Sequence, residues 1–154
     1  MKESNSNFLA PLGDRLKHWV EANSAQSKAP EVKYWKVLHG MTIADVMSDG
    51  SINNWTYAGR ATLGVGVHRV SRAIRRLREL GVDAGKPKYA EFGHRTATAG
   101  DLVIFYSGYG RDTTVKFYQR PGSTDRYPRR KAALLLGALK ADIGGSVPDV
   151  RGLG

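Results

Sequence analysis

The apolar positions of this chain follow helical spacing for most of its first half and strand spacing in part of its second. Phe8, Leu12, Leu16, Trp19 and Val20 predict a short amphipathic helix behind a polar start over 1–7 that reads as disordered. The stretch from Asn23 to Pro30, rich in serine, alanine and polar residues, predicts the linker that ends it. A second helix is expected from Pro30, since proline suits a first turn, through Tyr34, Trp35, Leu38 and Met41 towards Met47, with Ser48-Asp49-Gly50 as its stop. Ser51 to Trp55 reads as an extended connector, followed by a brief helix through Tyr57, Ala58, Ala61 and Leu63 and a turn at Gly64-Val65-Gly66. In VGVHRVSRAIRRLRELGV, residues 65–82, Val67, Val70, Ile74 and Leu77, with Ala73, share one side of a helix ending at Gly81, where helices commonly take a left-handed glycine.

Beyond this helix the period changes. Leu102 to Ser107 and Val115 to Arg120 are rich in β-branched and aromatic residues, and the stretch between them, Gly108 to Thr114, reads as a hairpin loop. Phe105, Tyr106, Phe117 and Tyr118 are expected to pack in a core; a stacking platform for single strands would need them exposed. Lys88 to Arg95 adds a third, poorer strand. From Pro128, the positions Ala132, Leu135, Leu136, Leu139 and Ile143 mark a last helix, and Gly144 to Gly154 reads as a disordered tail. No internal repeat is visible.

Charge sharpens the picture. With 24 Lys and Arg against 14 Asp and Glu, the formal net charge is +10 and the isoelectric point about 10.0. Such a chain accumulates near polyanions by counterion release, and nucleic acid is the leading partner. The helix over 65–82 concentrates this charge: Arg69, Arg72, Arg75, Arg76 and Arg78 face a single Glu79, too few carboxylates for salt-bridge lacing. A merely solvated amphipathic helix would not favour neighbouring arginines that repel one another.

The residues Asp49-Gly50 through Trp55, then Ala58, Leu63-Gly64-Val65 and the run from Val70 to Val82, resemble the winged helix-turn-helix domain of phage and plasmid replication proteins and of bacterial or phage transcriptional regulators, over about residues 32–82. The resemblance implies an α+β fold: a winged helix-turn-helix over 31–122 with the hairpin 102–120 as its wing, an N-terminal helix and linker over 1–30, a C-terminal basic and apolar helix over 123–143 and a tail over 144–154. It implies a sequence-specific double-stranded DNA-binding protein whose recognition helix enters the major groove. By position, His68, Arg69 and Arg72 are the base-reading candidates, Ser71 a phosphate contact, Arg75 and Arg76 contacts along the groove wall, and Arg111, with Tyr109 beside it, the wing tip. Gly66 stands where the family usually has a serine cap, and Val67 is either buried or set against a thymine methyl. About twenty residues separate helix from hairpin, more than a minimal winged helix needs.

Other classes are disfavoured. The chain has no cysteine, which removes a thiol nucleophile, thiolate metal ligands and disulfides, including the nucleophile that the strand-like Ala99 to Phe105 would need in a cell-wall peptidase. His18, His39, His68 and His94 are isolated along the sequence, and Glu91, Asp101 and Asp112 lack the lysine partner of a metal-dependent nuclease, so neither enzyme activity, metal nor cofactor is expected. Gly64-Val65-Gly66 and Gly85-Lys86 complete no phosphate-loop signature. No run approaches the roughly 18 apolar residues of a membrane span, and the polar start has no signal-peptide core, so the expected compartment is the cytoplasm. Either terminal helix offers an apolar stripe, Leu12, Leu16 and Trp19 or Leu135, Leu136 and Leu139, for a homodimer or for a replication or transcription protein. The alternative reading is a phage accessory protein that binds a host protein rather than DNA.

Overall fold

The computed structural model describes residues 41, 43–52, 54–89 and 93–153. The chain divides into two units, Met1–Asp49 and Gly50–Gly154. Of the first, the described part is a five-residue helix α1, Ile43–Met47, which ends where Ser48-Asp49-Gly50 was expected to stop it. The amphipathic helix expected over Phe8 to Val20, the linker to Pro30 and most of the helix from Pro30 lie outside the described residues.

The second unit is built on a sheet. Its strands are β1 (Thr56–Leu63), β2 (Lys88–Tyr89), β3 (His94–Ala99), β4 (Leu102–Tyr109) and β5 (Asp112–Gln119), antiparallel throughout in the order β1-β5-β4-β3-β2. Helix α2 (Val67–Glu79) crosses between the two edge strands, and helix α3 (Pro128–Ile143) follows the last strand. Ala58, Leu63, Ala97, Ile104, Tyr106, Val115 and Phe117 of the sheet share one core with Val70, Ile74 and Leu77 of α2 and Leu135 and Leu139 of α3. The two helices therefore lie side by side on one sheet face.

This architecture overturns the winged helix-turn-helix expectation. A five-stranded antiparallel sheet dominates the unit, and β1, not a helix, leads into the turn before α2. The expected wing is the β4–β5 hairpin, which instead supplies the central strands, with β1 beside β5 and β3 beside β4. The helical spacing of β1 has a local cause: the register shifts between Tyr57 and Gly59, and this irregularity turns both Ala58 and Ala61 towards the core. Their three-residue spacing imitates a helical face.

The hairpin loop expected over Gly108 to Thr114 closes to Gly110 and Arg111 between the paired Tyr109 and Asp112, while the ends of α2 follow their local signals. Gly66 caps α2 in an extended conformation with no side-chain bond. At the other end Gly81 has φ 100, with its own N–H donating to the Arg78 carbonyl at 3.1 Å and that of Val82 to the Leu77 carbonyl at 3.0 Å. That is a Schellman ending, which a left-handed glycine permits without strain. Phe105, Tyr106, Phe117 and Tyr118 are buried. The stripe Ala132, Leu135 and Leu139 of α3 is spent within the chain, packed in the core. The tail, expected to be disordered, returns to the unit: Pro148 is buried and Leu153 belongs to the core.

Candidate nucleic-acid interface

Helix α2 contains 13 residues, and its buried positions Val70, Ser71, Ala73, Ile74 and Leu77 occupy a little under half of its circumference. At 100° per residue, His68, Arg72 and Glu79 fall on the opposite ridge, with Arg76 on one flank and Arg75 on the other, towards Ser71; Arg78, in the last turn, falls between Ile74 and Ser71, and all six are exposed. Glu79 alone offsets this charge within the helix, at 3.3 Å from Arg76, and both side chains of that pair are solvated enough for it to be weak. Val67 is partly buried against the core, and Gly108 of β4 passes so close that a Cβ there would collide with the Val67 side chain. Its environment is the end of a strand.

Arg111 stands exposed in the Gly110-Arg111 turn that joins β4 to β5. This end of the hairpin abuts the start of α2, since the Thr113 hydroxyl donates to the Val65 carbonyl at 2.7 Å. His68, Arg72, Arg75 and Arg76 thus share the exposed part of α2, and the hairpin end that carries Arg111 lies near the start of that helix. The two remaining sequence candidates are engaged within the fold. Arg69 donates to the Asp142 carboxylate at 3.0 Å and to the Asp142 carbonyl, which ties the start of α2 to the end of α3. Ser71 is buried, its Oγ 2.6 Å from the Tyr106 hydroxyl.

Sequence reasoning missed a second group of residues beside this ridge. Tyr89, Arg95 and Tyr106 pair in register across β2, β3 and β4 and so form a cross-strand row. Because Tyr106 is in the core shared with α2, the row lies on the helix-bearing face. The Arg95 guanidinium stands over the Tyr89 ring, 5.7 Å from its centroid, and Tyr89 is 54% exposed. Burial pushes the Tyr106 phenol above its ordinary value, while the Ser71 hydrogen bond and the positive charges of Arg95 and Arg75 work the other way. No periodicity marks Arg95 in the sequence; only the strand pairing puts it opposite Tyr106.

Among the described residues no group of three His, Asp or Glu side chains could hold a metal ion, and no helix is long and apolar enough to cross a membrane. Comparison with known proteins finds no matching family model, no matching curated protein and no matching solved structure. The reading of function rests on the geometry of the chain's own residues.

Proposed function

We propose that the protein binds double-stranded DNA with sequence preference, presenting the outer ridge of α2 to the major groove. The observation that carries this reading is the exposed line His68, Arg72, Arg75 and Arg76, on a helix whose other side is held by the sheet. A groove about 12 Å wide admits an α-helix, and Arg72 at its centre would offer a guanine edge two donors. Arg111, at the hairpin end beside the start of α2, meets the flanking backbone. The net charge of +10 supplies the long-range attraction.

The test is a titration of wild type and two variants against a selected and a random duplex at several salt concentrations. Arg72→Ala is expected to lose about 1 to 3 kcal/mol on the selected duplex and much less on the random one. Arg111→Ala weakens both alike and makes the salt dependence shallower by about one ion. Absence of duplex binding at low salt would sink the proposal and favour a protein target. Footprinting then separates roles, since a palindrome belongs to a dimeric transcription regulator and tandem repeats to a replication initiator.

A further inference from the structure

The row Tyr89–Arg95–Tyr106 has no role in the reading above beyond its proximity to α2. Arg95 is an arginine on the face of the sheet that carries the helices, half-buried, with its Nε shielded from solvent and without a hydrogen-bond partner. An unpartnered buried donor is costly to the fold unless a ligand satisfies it. Arg75 reaches the same place from above: it follows Ser71 by one helical turn, and Ser71 touches the Tyr106 hydroxyl that Arg95 flanks in register. Neither arginine forms an ion pair with a carboxylate of the described residues. Two guanidinium groups are therefore set around one buried hydroxyl pair, with no carboxylate of the described residues paired to either.

We propose that Arg75 and Arg95 form a phosphate-binding subsite between α2 and the β2–β3 edge, with Tyr89 as the residue that positions Arg95. The site rests on the DNA reading for its natural ligand, a backbone phosphate of the duplex strand that borders the groove occupied by α2. Its chemistry is independent of that reading. A guanidinium presents planar, paired donors that match a phosphate, and a dianion or monoanion between two of them offsets the like-charge repulsion that the fold otherwise bears. The Tyr89 ring under Arg95 holds the guanidinium plane by cation–π attraction, so less side-chain freedom is lost when the anion arrives. Ser71 and Tyr106, already bonded to each other, form the floor and fix the distance between helix and strand. The DNA footprint would then extend from α2 onto the sheet edge.

Inorganic phosphate is the first probe, titrated into the full chain while the arginine side-chain Nε–H resonances are followed by NMR. The Arg75 and Arg95 signals are expected to move together and saturate, while those of Arg72, Arg76 and Arg111 move little. Equal drift of all five would mean diffuse screening and overturn the subsite. In Tyr89→Leu, which keeps both charges, phosphate affinity falls severalfold; an unchanged affinity removes the positioning role. The second probe is duplex DNA with Arg75→Gln and Arg95→Gln. Each variant is expected to bind selected and random duplexes about tenfold more weakly at low salt, with the salt slope reduced by about 0.9. Arg75 is exposed, so its variant remains informative if Arg95→Gln fails to fold. Duplex binding with unchanged slopes would discard the subsite and leave the DNA reading standing. Phosphate held at the pair without duplex binding would do the reverse.

Discussion

Ser71 stands between Arg69 and Arg72 on a helix rich in charge, and its sequence neighbours suggest a surface hydroxyl. Burial against Tyr106 makes it a structural partner instead, since each hydroxyl satisfies the other where neither meets water. Ser71→Ala is expected to cost about 1 to 3 kcal/mol, because the Tyr106 phenol is then buried without a partner, and Tyr106→Phe a similar amount. The double variant removes both ends and should cost clearly less than the sum. Urea unfolding of the four proteins checks this, and simple additivity would mean that the two hydroxyls are not coupled. The same pair makes stability depend on alkaline pH. The folded phenol holds its proton above the ordinary value of 10.0, so as pH rises through 10.0 the unfolded chain ionises first and stability falls, continuing until the folded phenol also ionises. Below 10.0 the contribution is fully present. In Tyr106→Phe this part of the alkaline slope is absent.

At the scale of elements, α2, the β4–β5 hairpin and α3 were legible, because each keeps one period along its length and carries its own end signals: Gly66 and Gly81 for α2, Pro128 for α3. β1 was not, because its irregular register gives a strand the apolar spacing of a helix. Half of the candidate site was legible for the same reason: a helix's outer ridge follows from 100° per residue, which places His68, Arg72 and Arg75 together. The engagement of Arg69 with Asp142 depends instead on how two helices pack, and nothing in the spacing of 73 residues between them foretells it. Arg69 also meets the carbonyl end of α3, where a cation suits the helix dipole. Arg69→Ala is accordingly expected to lower stability by about 1.5 to 3 kcal/mol, the range for hydrogen bonds to charged groups, and Asp142→Asn to lower it in the same direction. Discrimination between selected and random duplexes should survive in Arg69→Ala at a temperature where the variant is folded. A loss of discrimination without a loss of stability would return Arg69 to the reading surface.

The whole molecule shows why local pattern could not reach the architecture. A hairpin flanked by a basic helix is compatible with a wing, and only the pairing of β1 with β5 and β3 with β4 makes it the centre of a sheet. Such pairings join residues far apart in the chain, and the same holds for the C-terminal segment. Its glycines and its single proline suggest a free tail, yet Leu153 enters the core shared by the sheet and α3 with 4% of its surface exposed. Val150 packs partly against that core, and Pro148 is buried. The last residues therefore act as a strap that closes one side of the helix layer, and removing the leucine leaves a void in a place that water cannot reach. Leu153→Ala is expected to cost about 2 to 5 kcal/mol, the range for buried leucines. Val147, 78% exposed, is the control: Val147→Ala should leave the urea midpoint where it is. A disordered tail predicts that neither substitution matters. A fall in the midpoint for Leu153→Ala alone, with the slope of the transition unchanged, identifies the tail as part of the folding unit rather than an appendage to it.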